Sequence, residues 1–280
     1  MPELPDLEAI RLFLAPRLAG AQIESADVLR PVIVRNLLGG DVASHLVGRS
    51  LAGAERRGKF LLLPLSGSAL WLVINPMLAG RLRYGEPLAR RRGRDALVIG
   101  LAGGRELRYH DARDMGKIYL TDRLALVPAF GELGPDADDP LLTVEVFRER
   151  LRRHTGEIKG VLTEQRFVAG IGNAYSDEIC WHARLYPFRR RATLAPEEVV
   201  RLYDSTREVL RRAVEILGAR VGEAIDVEIR DFLSVHGKPG QPCPRCGTAI
   251  SEVTRQKRST HFCRTCQPGL MVGRRDGSLP

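Results

Sequence analysis

No apolar run in the chain is long. The longest, Leu61 to Leu65 and Ala69 to Ile74, fall far short of the roughly 20 residues a bilayer-spanning helix needs, which excludes a membrane span. The opening Met1-Pro-Glu-Leu-Pro-Asp6 lacks a basic segment followed by an apolar one, so no secretory leader is expected and a cytoplasmic location follows. Lysine is scarce. Only Lys59, Lys117, Lys159, Lys238 and Lys257 occur among 43 basic residues, so a lysine placed for chemistry stands out. There is no internal repeat.

What is present is the balance of a folded protein, 44% hydrophobic and 28% charged residues. A length of 280 residues is enough for two ordinary domains, each with its own core. The formal net charge of +9 favours a polyanionic partner, nucleic acid or an anionic membrane surface. No basic amphipathic helix stands out to serve the second.

Periodicity divides the chain. Leu7, Ile10, Phe13, Leu14 and Leu18 recur at helical spacing after Pro5 and predict an opening helix that ends near Gly20. Short apolar or alternating runs then predict strands at Phe60 to Leu65, Leu70 to Ile74, Ala96 to Leu101, Glu106 to His110 and Lys117 to Leu120, with Gly103-Gly104 as a hairpin turn. The turn-rich segment Gly131 to Pro140 reads as a linker. Beyond it, Thr143 to Arg153, Ile158 to Gln165, Ala174 to Ala183 and Pro196 to Leu217 carry helical patterns, Gly218 being placed to stop the last.

Cys243-Pro-Arg-Cys246 and Cys263-Arg-Thr-Cys266 are two CxxC pairs sixteen residues apart, the spacing of a four-thiolate zinc ribbon. Four protein ligands leave no open coordination position, so one structural zinc is expected; reducing cytosol disfavours two disulfides. Cys180 falls in a predicted helix as an apolar filler. Arg255, Lys257, Arg258, His261 and Arg264 crowd the hairpin between the knuckles and suit either a phosphate-binding surface or a solvated charged face.

At the other end, removal of Met1 would leave a secondary amine on Pro2. An α-amino group titrates near 7.7 to 8, so a good fraction is neutral at cellular pH and able to attack electrophilic carbon. Attack on the anomeric carbon of a nucleotide expels the base and leaves an iminium, which acidifies the adjacent C2′ proton and permits elimination of the 3′ phosphate. Glu3 is placed to carry the protons.

Met1-Pro-Glu-Leu-Pro5, Arg56-Arg-Gly-Lys59, Asn75-Pro-Met77-Leu-Ala-Gly80, Asp111-Ala-Arg113-Asp-Met115-Gly116, Leu133-Gly-Pro135, Gly170-Ile-Gly-Asn173-Ala-Tyr-Ser-Asp-Glu178 and the four-cysteine finger occur in this order along nearly the whole chain. Together they resemble the formamidopyrimidine-DNA glycosylase and endonuclease VIII family, and the Leu-Pro opening is closer to the formamidopyrimidine branch. The resemblance implies an α+β multidomain fold. An N-terminal β-sandwich catalytic domain with its helix would occupy residues 1–130, a linker 131–143, a helix-two-turn-helix domain 144–235, the zinc finger 236–267 and a tail 268–280.

It also implies a monomeric bifunctional DNA glycosylase and AP lyase of base-excision repair, acting on damaged double-stranded DNA by β,δ-elimination. Carried over residue by residue, Pro2 is the Schiff-base nucleophile and Glu3 the acid/base. Lys59, Asn173 and Arg258 grip phosphates around the damaged nucleotide. Met77, Arg113 and Met115 fill the gap left when the base is rotated out. Three departures bear on the transfer: Asp6 stands where the branch usually has glutamate, Met115 replaces an aromatic wedge, and Arg230 to Cys243 lacks the longer loop that closes over an oxidised purine. The last predicts weak action on 8-oxoguanine. An oxidised-pyrimidine preference like that of endonuclease VIII, and a DNA-binding protein without chemistry, remain as alternatives.

Overall fold

The computed structural model describes residues 1–87, 93–255 and 257–269; all but the first two residues of the expected tail lie outside this range. In chain order the elements are α1 (Leu4–Leu18), β1 (Ile23–Val28), β2 (Val34–Asn36), α2 (Val42–Leu46), β3 (Glu55–Arg57), β4 (Phe60–Pro64), β5 (Trp71–Asn75), β6 (Gly80–Gly85), β7 (Asp95–Leu101), β8 (Arg105–Asp111), β9 (Lys117–Thr121), α3 (Val144–Arg152), α4 (Ile158–Thr163), α5 (Asn173–His182), α6 (Pro196–Arg220), β10 (Ser251–Arg255) and β11 (Arg258–Phe262). They form two compact units. The first comprises Met1–Asp136 with Arg211–Arg230, the second Ala137–Leu210 with the residues from Asp231 onward.

In the first unit α1 buries Leu7, Ile10, Leu14 and Leu18 as its periodicity requires. The expected β-sandwich is a pair of sheets, ordered β1-β7-β8-β6 and β2-β9-β5-β4-β3. All five predicted strands are present within a residue or so of their expected ends. Gly103 and Gly104 turn the β7–β8 hairpin with φ of +84° and +70°, values that cost glycine nothing. The short elements β1, β2, β3, β6 and α2 escaped the pattern. Arg81-Leu82-Arg83-Tyr84 of β6, for example, buries only Leu82 fully, which leaves too little apolar signal to read.

Tyr109 of β8 organises one end of the first sheet. It is 1% exposed, and its hydroxyl lies under two turns at once. A Cβ added to Gly80 would stand 2.0 Å from the Tyr109 oxygen, and one added to Gly116 would stand 1.8 Å from it. The two glycines thus let the turn after β5 and the turn after β8 both close onto one phenol.

The predicted helices α3, α4 and α5 belong to the second unit, as does α6 up to Leu210, its last residues counting with the first. Thr143 caps α3 by accepting the Val146 N–H, and Phe147 stacks edge-on against Phe167 and Tyr203 at 5.0 and 5.6 Å. One expectation fails: α6 runs through Gly218 to Arg220. A helical glycine costs about 1 kcal/mol, and Leu217, 1% exposed, holds that turn in the core. The hairpin β10–β11 completes the unit, paired from Ser251↔Phe262 to Arg255↔Arg258. Among the described residues no helix is long and apolar enough to cross a membrane.

Both Gly80→Ala and Gly116→Ala should destabilise the first unit by about 1–3 kcal/mol, the usual cost of overpacking. Tyr109→Phe should recover much of the loss for Gly116→Ala. It should recover less for Gly80→Ala, whose new methyl still meets the Pro76 carbonyl at 2.7 Å. Equal rescue of both by thermal denaturation would contradict this packing.

Candidate DNA-processing site

The candidate residues fall into two groups, one in each unit. In the first, Pro2 is buried and Glu3, 2% exposed, is the N-cap of α1. Glu3 donates its N–H to Asp6 Oδ2 at 2.8 Å, and the Glu3 carboxylate accepts the Asp6 N–H in return, a reciprocal capping box with Asp6 at N3. Arg230 grips the same carboxylate with both terminal nitrogens, 2.8 Å to Oδ1 and 2.7 Å to Oδ2. Its Nη2 also reaches the Met1 carbonyl at 3.5 Å. Burial raises the Asp6 pKa despite Arg230. Glu228 lies 3.4 Å from the Met1 nitrogen and pairs with Arg81. The N-terminus is therefore fixed on both sides.

Lys59 closes the tight β3–β4 turn after Gly58, which has φ +56°. Asp136 holds this turn. Its carboxylate accepts the Gly58 N–H at 2.8 Å and Arg56 Nη1 at 2.8 Å, and also pairs with Arg57. Arg56 in turn reaches Glu8 of α1 at 2.9 Å, so the Lys59 turn and the Pro2 helix share one ion-pair network. The Leu133-Gly-Pro135 motif earns its place here, because Arg57 Nη2 donates to the Gly134 carbonyl at 2.6 Å.

Met77, Arg113 and Met115 are exposed on the two turns that meet over Tyr109, Met77 and Met115 at 38% and 37%. Their presentation is specific. Met77 has φ +48°, a left-handed conformation that an unbranched side chain tolerates at a cost, and its N–H is held by Asn75 Oδ1. Asp111, fully buried, accepts the N–H of Arg113 at 2.9 Å and of Gly116 at 2.7 Å. The side chains of Arg113 and Met115 are thereby thrown outward.

The second group lies where α5 meets the finger hairpin. Asn173 is the first residue of α5, with Gly172 rather than itself as the N-cap, and donates Nδ2 to the Ser259 carbonyl at 2.9 Å. Arg258, adjacent to Ser259, is exposed. These two are brought together. His261 departs from the expected basic surface, since it is 5% exposed and faces inward to Asp177. Arg255 pairs with Glu157 and lies over the Phe188 ring.

Asp177 is a hub that sequence reading missed. It is fully buried and receives Lys159 Nζ at 2.6 Å, His236 Nδ1 at 2.7 Å, the His261 N–H at 3.1 Å and His261 Nδ1 at 3.3 Å. Lys159 continues to Thr260 Oγ1 and the Ser259 carbonyl. Burial works to raise the Asp177 pKa, but the histidine hydrogen bonds and the lysine charge outweigh it and hold the carboxyl low. Asp177, His236 and His261 lie close enough to share a metal, yet the Lys159 ammonium already supplies the cation. Neighbouring Glu178 accepts the N–H groups of Ser234, Val235 and His236 at 2.7–2.8 Å, anchoring the connection that leads to the finger.

The four finger sulfurs lie within 4.8 Å of one another. Cys243 to Cys266 is 3.9 Å and Cys246 to Cys263 is 3.4 Å, separations of ligands about a common centre and not of bonded pairs. An all-sulfur set closed on itself suits one structural zinc. Cys180 is fully buried in α5, and burial pushes its thiol pKa up, as an inert filler requires.

Comparison with known proteins agrees with this architecture. The formamidopyrimidine-DNA glycosylase N-terminal domain matches residues 1–118, its H2TH domain 133–223, and the zinc finger found in FPG and IleRS 240–269. The formamidopyrimidine-DNA glycosylase of Symbiobacterium thermophilum is 40% identical, over 96% of this chain and 90% of that protein. The one of Heliobacterium modesticaldum is 39% identical, over 95% of this chain and 100% of that protein. Lactococcus lactis Fpg in complex with abasic-site DNA superimposes with a TM-score of 0.85 at 32% identity, covering 95% of this chain and 100% of that one. A Lactococcus lactis mutant with Fapy-dG containing DNA gives 0.86, over 96% and 100%. The chain belongs to the formamidopyrimidine-DNA glycosylase family. Members are DNA glycosylases of base-excision repair, and AP lyase activity is characteristic of them.

Asp177→Asn should strip Lys159 of its counter-charge inside the protein and cost about 3–5 kcal/mol. Adding Lys159→Met should return part of that stability, because no buried charge is then left unpaired. Denaturant titration of the two variants checks it, and a double variant no more stable than Asp177→Asn alone would refute the hub.

Proposed function

We propose that this chain excises damaged bases and then cuts the strand through the Pro2 amine. The observation that carries the reading is the immobilisation of the N-terminus. Pro2 and Glu3 are buried at the head of α1, locked by the Asp6 capping box and the bidentate Arg230. An amine held in place needs little further ordering to attack, which is where much of the advantage of an enzyme nucleophile originates.

With Met1 removed, the Pro2 nitrogen attacks C1′ of the damaged nucleotide and the glycosidic bond breaks. Glu3, within one residue of the amine, carries protons to and from the reacting sugar and base. The resulting iminium acidifies C2′, and successive β and δ eliminations release the 3′ and 5′ phosphates. Lys59, Asn173 and Arg258 hold the backbone phosphates of the lesion strand. Asn173 adds the favourable end of a helix, where N–H groups and the dipole attract anions. Met77 and Met115 prop the stack open while the Arg113 guanidinium hydrogen-bonds the orphaned base. The zinc, when bound, ties the finger so that Arg258 is presented. We place the work at the nucleoid, with domain limits at residues 1–130, 144–235 and 236–267.

Lesion preference follows from the connection between α6 and the finger. Residues 221–242 hold no helix or strand, and they are tethered at Arg230 by Asp6 and at Ser234 to His236 by Glu178, which leaves little free chain to fold over an oxidised purine. The enzyme should therefore excise formamidopyrimidine or oxidised pyrimidines faster than 8-oxoguanine. Single-turnover rates on a panel of defined duplexes measure this, and 8-oxoguanine opposite cytosine removed as fast as the best other lesion would rule it out.

Borohydride should trap a covalent protein–DNA adduct whose peptide maps to Pro2. A retained Met1 delocalises the proline lone pair into an amide and should abolish trapping, while Glu3→Gln should slow base removal more than cleavage at a ready-made abasic site. An adduct on Lys59, or full trapping by an N-terminally extended protein, would overturn Pro2 as nucleophile. Arg258→Ala should reduce the slope of log affinity against log salt by about 1.

A further inference from the structure

Helix α5 meets the finger along one stripe. Asn173, Asp177 and Trp181 follow at intervals of four and so share a face. Each makes a hydrogen bond to the finger: Asn173 Nδ2 to the Ser259 carbonyl at 2.9 Å, Asp177 from the His261 N–H at 3.1 Å, and Trp181 Nε1 to Cys243 Sγ at 3.4 Å. The third differs in kind, because its acceptor is a zinc ligand.

The indole is not free to point elsewhere. Arg245, inside the Cys243–Cys246 knuckle, lies over the Trp181 ring with its guanidinium carbon 4.1 Å from the centroid, and donates Nη1 to the Trp181 carbonyl at 3.0 Å. The knuckle thus clamps the tryptophan from above while the tryptophan donates to the first sulfur of the same knuckle. Around that sulfur the surface is apolar: Cys243 packs with Val235, Ile250 and Cys263, and Trp181 lies against this cluster. A thiolate beside three others carries excess negative charge there, and an N–H aimed at it is the available compensation.

We propose that Trp181 is a positioning residue for the metal: its indole N–H orients and stabilises the Cys243 thiolate and so sets how long the finger keeps its zinc. Partners of metal ligands typically contribute about 10–100-fold to metal affinity. Because the same helix face bears Asn173 one end away, retention of zinc and the placement of Asn173 against Ser259 are coupled through α5.

The test uses the zinc-loaded full chain and a colorimetric chelator. Trp181→Phe keeps an aromatic ring under Arg245 but deletes the N–H, and should release zinc about tenfold faster than the native protein. With cobalt in place of zinc, loss of the hydrogen bond raises the sulfur lone-pair energy, so the sulfur-to-cobalt charge-transfer band should move to longer wavelength. Native release kinetics with an unmoved band would overturn the proposal, as would slow release by Trp181→Phe combined with fast release by Trp181→Ala, which assigns the effect to ring packing. A measurement that needs no substitution at Trp181 covers a variant that fails to fold. The chain has two tryptophans, so Trp71→Phe leaves one indole signal; in protein loaded with cadmium-113 that indole proton should show scalar coupling to the metal across the N–H···S bond. Absence of coupling refutes the bond itself.

Discussion

A carboxylate closing on backbone N–H groups is the interaction on which the candidate site depends. It recurs beside Pro2, Lys59, Met115 and Arg258. Asp6 takes the Glu3 N–H next to Pro2, Asp136 takes the Gly58 N–H next to Lys59, Asp111 takes the Arg113 and Gly116 N–H groups around Met115, and Asp177 takes the His261 N–H near Arg258. Turns that must aim a side chain at a partner cannot also satisfy their own backbone by regular pairing. A buried acid does it for them, and charge-assisted bonds of this kind are the stronger ones.

The arrangement also sorts charge. Asp111 and Asp177 are fully buried and Asp6 and Asp136 nearly so, whereas Arg113 and Arg258 are exposed. The acids hold the scaffold from inside, while these two arginines stay exposed. Arg56 and Arg230 show the converse. They are arginines used internally, each bridging two segments far apart in the chain, and neither is available to a ligand.

Much of this was legible beforehand. Long strands and helices with regular periodicity were found close to their ends, and the four cysteines declared their zinc by spacing alone. The proposed site residues were named from ordered motifs; Lys59, Met77, Arg113 and Met115 stand on connecting loops, Asn173 opens α5 and Arg258 opens β11. What escaped was the support. Asp136, Asp177 and Trp181 act through partners 18 to 84 positions away, and no local pattern encodes such a meeting. Trp181 could have been suspected from its interval of eight after Asn173, but helical spacing is equally the mark of ordinary core packing. His261 was misjudged for the same reason: a histidine among arginines looks basic and exposed until its buried acid is located.

The grip of Arg230 on Asp6 ties one end of the chain to a point near the other. The Asp6 carboxylate takes both terminal nitrogens of Arg230 at 2.8 and 2.7 Å, so each group fixes where the other can lie. Neither residue is then a free variable in the history of the protein. A longer acid at position 6 would press the guanidinium away from the Met1 carbonyl, and loss of Arg230 would leave a largely buried aspartate without its cation. Positions 6 and 230 should drift as a single heritable character.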